Sequence, residues 1–471
     1  MDTVSSSRFA STRRFALSIA AASLAACQSA PPHPTPERAI SAAVGVAEDL
    51  TLRLEGGPLN AAPPTGPQLS LADALGRSLR SSPELQSSLA RVRGALADAE
   101  QARLLPNPLL NIILRVPEGG GKANLEAGVS ADLLSLLQRP RKSSAADNRL
   151  RIAVSEAVST SLLVAASLQE RYAAVQALDE LSPILRERRA VLGKLITLAR
   201  SRLDFGEASK LDVTTLEAQS VELDLDISER EAERREERIA LARLIGQPSD
   251  DAAWTLDDWS PLPDLLGDEA RWLDAGIEHR PEVLARRWEL AALGDQAALV
   301  GLSVLDGSAV GVNAQRDGPW SVGPAATVPL PLFDTGMARR DKSDAAIIEA
   351  RHNLVSVQRT IVEEVRRAYG SYKAARTNLQ RVRTELIPLQ RQRREQVEAI
   401  YLAGQADLTA VLLAEQDLQA AQGKLVELEK KAAVLLVRLE RAVGGAGVAK
   451  QVGSPQGPSS DDGVYVQENI K

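Results

Sequence analysis

The sequence predicts a mainly α-helical fold with a small β part, built from one unit written twice. Three observations carry that prediction. Long stretches repeat apolar residues every seven positions with few Gly or Pro between them. Four stretches of about ten residues alternate apolar and polar side chains. Blocks of similar sequence recur in the same order about 198 residues apart, the mark of an internal duplication.

Taken in chain order, residues 1–26 read as a signal peptide: Arg13 and Arg14 precede the apolar run "FALSIAAASLAAC", too short to span a bilayer. The run ends in Leu24-Ala25-Ala26-Cys27, which resembles a bacterial lipoprotein signal with Cys27 as the lipidated residue. An ordinary signal peptide with a chance Cys is the alternative. Cys27 is the single Cys of the chain, so no internal disulfide exists. Gln28 after it favours the outer membrane by the usual sorting rule for such lipoproteins. The Pro-rich stretch of residues 27–67 reads as an extended tether.

The first copy occupies residues 68–250 and the second 271–446. "SPELQSSLARVRGALADAEQA" from Ser82 matches "RPEVLARRWELAALGDQAALV" from Arg280, each opening on a Pro at a first helical position. The surroundings of Tyr172 match those of Tyr369. Gly206, Leu211, Leu216 and Gln219 face Gly404, Leu408, Leu413 and Gln416. Each copy is expected to run helix, two strands, very long helix, short turn, shorter helix. The long helix of the first copy is expected over Arg141–Arg202 and its return over Ser209–Ile245.

In the second copy the helical pattern from Gly336 to Leu402 is interrupted only by Gly370 and Pro388, a length of about 100 Å. Ile347, Leu354, Ile361 and Ala368 form one heptad row, and Ile348, Val355, Val362 and Tyr369 a second beside it. Two adjacent rows suit a helix packed on both sides, as in a cylinder of helices. Val411, Leu418, Leu425, Ala432 and Leu439, with Ala414, Ala421, Leu428, Leu435 and Ala442, mark an a/d seam on the return helix. Residues 251–270 have no partner in the repeat and read as a connector. Residues 447–471 are rich in Gly, Ser, Pro and Asp and read as a disordered tail. The run Glu229–Arg238 mixes both charge signs, as a solvated helix face does.

Strands are expected at about 107–116, 123–133, 307–316 and 319–330. Ala123, Leu125, Ala127, Val129, Ala131 and Leu133 alternate with Asn124, Glu126, Gly128, Ser130 and Asp132. Such alternation arises in any half-buried hairpin, but its length also suits transmembrane barrel strands. Two hairpins cannot close a barrel, and open edges are not tolerated in lipid. Closure across chains is therefore required, and four strands from each of three chains make twelve. Two chains would make eight, a barrel filled by its own side chains.

The duplicated plan, "SPEL…LLPNPLLNI", the two Gly-x-x-x-Leu tip segments and "PLPLFDTGMARRDKSDAAIIEA" resemble the TolC-type outer-membrane factors, in their lipid-anchored branch. The resemblance covers Leu69 to Gly445 and is most specific at Pro331-Leu332-Phe333-Asp334-x-Gly336. It implies a homotrimer with a 12-stranded β-barrel in outer-membrane lipid, continued by a long α-helical barrel in the periplasm. It also implies partners: a periplasmic adaptor and an inner-membrane pump, which the channel serves as a passive exit duct for small molecules or ions.

The same resemblance makes Gly206, Leu211, Asp212, Leu216, Gly404, Asp407, Leu408 and Leu413 the tip and gate residues. Leu211 and Leu408 become apolar contacts for the adaptor. Asp212 and Asp407 are either pore-facing acids or helix N-caps. Where some relatives carry paired acids beyond the second tip Gly, Ala410 and Leu413 stand here. The strand-to-helix elbows are expected at Pro140 in the first copy and at Pro331, Phe333, Asp334 and Gly336 in the second, with Asp334 as a cap.

Nothing in the sequence calls for catalysis, a cofactor or nucleic acid. Charge is nearly balanced, with 56 basic and 62 acidic residues. The three His lie apart, and no phosphate loop, Ser/His/Asp set or metal spacing is present. Two other readings stay open: a type I secretion exit duct of the same fold, and a non-membrane periplasmic coiled-coil adaptor or scaffold. The second suits the scarcity of aromatic residues near the strands, only Trp320 being well placed for a membrane girdle.

Overall fold

The computed structural model describes residues 36–45, 51–61, 66–116, 118–119, 123–249, 251–259, 262–263, 268–316, 319–403, 405 and 407–453. The signal segment and Cys27 lie outside them.

The first repeat contains α2 (Leu71–Ser81), α3 (Pro83–Arg103), β2 (Leu109–Arg115), β3 (Asn124–Asp132), α4 (Leu133–Asp204) and α5 (Lys210–Leu244). The second contains α6 (Glu269–His279), α7 (Pro281–Leu302), β5 (Ala309–Arg316), β6 (Trp320–Thr327), α8 (Met337–Arg381), α9 (Ile387–Leu402) and α10 (Leu408–Ala442). Before the first repeat stands α1 (Pro36–Val44), and after the second stands α11 (Ala446–Gly453). Ser70 and Ser82 cap α2 and α3 through their side chains, accepting from the amides of Asp73 and Leu85. Pro83 and Pro281 open α3 and α7, where a missing N–H costs nothing.

The helix α4 is 72 residues long, about 108 Å from end to end. It starts eight residues before its expected position and runs through both Pro140 and Pro183. Pro140 is therefore not an elbow. The elbow is Asp132, whose Oδ1 accepts from the Ser135 amide at 3.0 Å and so caps the helix at the last residue of the strand. In the second repeat Pro388 has a different effect. Its ring would meet the carbonyl of Thr384 in a regular helix, and a π-turn at Val382–Leu386 widens the backbone just before it.

The sheet holds four antiparallel strands in the order β2-β3-β5-β6, so the hairpin of one repeat pairs with that of the other through β3 and β5. Two shorter strands, β1 (Gln68–Leu69) and β4 (Thr255–Leu256), pair in parallel where the connector passes the start of the first repeat. No single centre organises the helices. A core around Leu69, Leu79, Leu168, Tyr172 and Trp254 serves the first repeat, and one around Trp272, Val365, Tyr372 and Val443 the second. A third, with Leu192, Leu195, Leu223, Leu412 and Val426, joins the long helix of the first repeat to the return helices of both. Ile361, Leu418, Ala421, Ala432 and Leu439, all heptad positions, are buried.

The connector is stapled from both repeats. Tyr172 donates its hydroxyl proton to the Leu69 carbonyl at 2.8 Å and accepts from the Asp257 amide at 3.1 Å. Tyr372 donates to the Pro263 carbonyl at 3.2 Å. Tyr372, rather than the Tyr369 that aligns in sequence, thus plays the part of Tyr172; Tyr369 tilts against Trp272 instead. Arg238 donates to the Ala252 and Trp254 carbonyls and stacks on the Trp254 ring.

Two terminal segments are more ordered than their composition suggests. Within the expected tether, α1 buries Ile40 and Val44 against the first-repeat core. Within the expected tail, α11 buries Ala449 beside Trp272. Gly445 and Gly447 let α1 lie against the chain: a Cβ on either would fall 2.1 or 2.3 Å from a carbonyl of α1.

Candidate functional site

The sheet has two chemically distinct faces, fixed by its register. One rung runs Leu110, Val129, Val312, Pro324, and the rung two residues on runs Ile112, Ala127, Ala314, Val322. Ala131, Val310 and Ala326 continue the same face toward the helices. The intervening rungs put Asn111, Gly128, Asn313 and Gly323 side by side, then Ile113, Glu126, Gln315 and Ser321. On this polar face Arg115 pairs with Glu126 at 3.2 Å. Leu110, Ile112, Leu114, Val129, Val310, Val312 and Val322 are all exposed. A row of large apolar side chains turned away from the chain's own core requires a covering that is not water.

The ladder is tight where the hairpins meet. A Cβ on Gly311 would sit 2.3 Å from the Val129 carbonyl oxygen, so only Gly lets β5 approach β3 there. At the second elbow Pro331 and Phe333 are exposed, Phe333 at 99%. Asp334 Oδ1 accepts from the Gly336 amide at 2.9 Å, and Oδ2 pairs with Arg339 at 2.8 Å. Gly336 itself occupies the N-cap position of α8 with φ +75°, a conformation that explains why a Gly is there. Asp334 holds the turn before α8 rather than capping it.

At the far end lie the tips. Gly206 turns the chain with φ +76° between α4 and α5. Ser209 then caps α5 reciprocally with Asp212: the Asp212 amide donates to Ser209 Oγ at 3.1 Å, and the Ser209 amide donates to Asp212 Oδ2 at 2.9 Å. The Ser209 amide and hydroxyl hold the Asp212 carboxyl below its ordinary range. Asp407 is the N-cap of α10, accepting from the Thr409 amide at 2.9 Å and pairing with Arg202 on α4. Burial pushes the Asp407 carboxyl up, but the Thr409 amide and Arg202 together outweigh it and leave it lowered.

Both acids thus serve helix starts, and Asp407 also ties the two tips together. Leu211 is 73% exposed, and Leu413 is exposed. Leu408 and Leu216 are half-buried against the core that joins α4 to α5 and α10, so Leu408 is not free as Leu211 is. Gly404 lies outside the described residues. The sequence reading missed Phe205 and Leu402, 80% and 79% exposed just before the two turns, and Arg202. An apolar residue directly before each turn was the visible signal. Among the described residues no group of His, Cys, Asp and Glu is placed to hold a metal ion.

Residues 272–445, the second repeat, match the family model of the outer membrane efflux protein. The second repeat therefore carries that family's domain. A sequence comparison with curated proteins gives no match. Solved outer-membrane proteins share the fold across both repeats. The outer-membrane channel OprN is 19% identical with a TM-score of 0.63, over 80% of this chain and 90% of its own. VceC of Vibrio cholerae is 21% identical with a TM-score of 0.62, over 80% and 96%. The open-state MtrE channel of Neisseria gonorrhoeae is 17% identical with a TM-score of 0.62, over 82% and 91%. The first repeat, outside the matched segment, has the same order of elements as this efflux-family domain, as a duplication requires.

Proposed function

We propose that the chain is the outer-membrane exit duct of an efflux system, assembled as a homotrimer. The observation that carries the reading is the two-faced sheet. Four strands with one exposed apolar face and two open edges cannot be stable in lipid alone, and three copies close them into a 12-stranded barrel. The helices below continue the wall, and α7, apolar in sequence yet little buried in its own chain, gains cover from a neighbouring copy. The duct is passive. Its tips, with Leu211, Phe205 and Leu402 exposed, dock a periplasmic adaptor, and an inner-membrane pump supplies the energy. Cys27, when acylated, adds a lipid anchor.

Protein extracted from outer membranes in detergent is expected to behave as a trimer with a mixed α/β circular dichroism spectrum. In planar bilayers it should conduct ions. A soluble monomer with no β signal, recovered from the periplasm without detergent, refutes the reading and favours a scaffold outside the membrane.

A further inference from the structure

The apolar face of the sheet carries one charge. Along β2, β3, β5 and β6 every described residue on that face is apolar except Arg316, which closes the rung Leu114, Leu125, Arg316, Trp320. Arg316 is exposed and lies over the Trp320 ring, 5.9 Å from its centroid. No carboxylate among the described residues pairs with it. Arg115, one rung further on, lies on the opposite face and is already paired with Glu126.

An Arg on a lipid-facing strand is destabilising at the bilayer midplane and nearly neutral at the interface. Arg316 therefore fixes the height of the barrel: its rung must sit at headgroup level. The elbows leading to α4 and α8 mark the periplasmic end of each strand, so the rung of Arg316 is the outward one. The geometry below agrees. From Val310 to Arg316 the strand climbs about 20 Å along its axis, and about 15 Å of depth at a tilt near 40°. An apolar band about 25 Å tall must then continue past the ladder into the elbow, and Leu137, Leu330, Leu332 and Phe333 are exposed there.

We infer that Arg316 and Trp320 form a lipid-binding site for the phosphorylated glycolipid of the outer leaflet. The guanidinium takes a phosphate on the sugar headgroup, and the indole lies along the start of the acyl chains. Guanidinium matches phosphate by a two-pronged, charge-assisted contact. Indole prefers the boundary between apolar and wet layers. The occupant is chosen by side: a phosphate at the outward end belongs to the glycolipid leaflet. The inference rests on the outer-membrane reading of the function.

The test uses the full-length trimer and three variants, R316Q, R316K and W320L, each incorporated into phospholipid vesicles doped with lipid A or with lipid A stripped of its phosphates. Retained lipid is read by native mass spectrometry. A cation near an anionic surface is worth about fivefold in partitioning, so wild type should retain the phosphorylated form about fivefold over the stripped one. R316Q should lose that preference, R316K keep part of it, and W320L weaken retention of both forms. Equal retention by wild type, or an unchanged preference in an inserted R316Q, overturns the site while leaving the channel intact. Failure of wild type to resist alkaline extraction from the vesicles overturns the membrane reading itself, and the site with it.

Discussion

Replacing Tyr172 by Phe removes one oxygen from the join between connector and first repeat. The structure sets the size of the effect. That oxygen donates to the Leu69 carbonyl at 2.8 Å and accepts from the Asp257 amide at 3.1 Å, beside a fully buried Leu69. A hydrogen bond contributes about 0.5–1.5 kcal/mol net, and a buried polar group left alone costs about 1–3 kcal/mol. Two backbone groups lose their partner, so Tyr172→Phe should destabilise by about 2–3 kcal/mol. Tyr372→Phe breaks one longer contact, to Pro263 at 3.2 Å, and should lose about 1 kcal/mol. For a chain of this size those losses translate to melting shifts of about 3 °C and about 1 °C at fixed protomer concentration. Amide exchange at Thr255–Asp257 should accelerate in Tyr172→Phe alone. A Tyr172→Phe variant no less stable than Tyr372→Phe, with exchange unchanged, refutes the staple. Burial also raises both phenols from the ordinary 10 to about 12. The folded chain keeps protons that the unfolded chain sheds above pH 10, so stability should fall between pH 10 and 12, less steeply in either Phe variant.

Three more expectations concern other parts of the molecule. Gly311→Ala puts a Cβ 2.3 Å from the Val129 carbonyl oxygen, whereas Gly323→Ala meets nothing within 4 Å. Heat-resistant trimer on gels should disappear in the first and persist in the second. Burial raises the Glu440 carboxyl to about 7, partly countered by Lys450. The folded state holds that proton longer, so stability falls as pH rises from the ordinary carboxyl range to about 7, and Glu440→Gln should flatten that slope in a melting series. A double-mutant cycle on Arg202→Ala and Asp407→Ala should give a coupling below about 1 kcal/mol, as both side chains are over a third exposed. Asp407→Ala alone should cost about 1 kcal/mol more through the lost cap, and a coupling of zero would deny the tie between the tips.

The long elements were legible because periodicity encodes them directly. Heptad rows such as Leu418, Leu425, Ala432 and Leu439 can be satisfied only by a long helix with neighbours, and strict alternation over residues 123–133 only by a two-faced strand. What failed was punctuation. Pro140 reads as a stop, yet it stands inside α4, because the capping of Ser135 by Asp132 had already started the helix. That Asp-x-x-Ser signal was in the sequence, overshadowed by the more conspicuous Pro. The segments holding α1 and α11 read as tether and tail because short helices owe their stability to tertiary packing. Ile40 and Ala449 find that packing only after the repeats have met. Which tip leucine is free could not be read either. Leu211 and Leu408 occupy equivalent positions in the two repeats, and only the unequal environments of α5 and α10 separate them.

The contact between β3 and β5 has a consequence for how the protein is made. It joins stretches about 180 residues apart along the chain, one from each repeat. While the first repeat is complete and the second is not, β3 has one edge without a partner and an apolar face without cover. Closing so long a loop is entropically slow. A half-finished chain is therefore exposed to wrong strand pairing, with another nascent copy as the ready wrong partner. The duplication that gives the finished duct two matching walls also makes its assembly wait for the second half of the polypeptide.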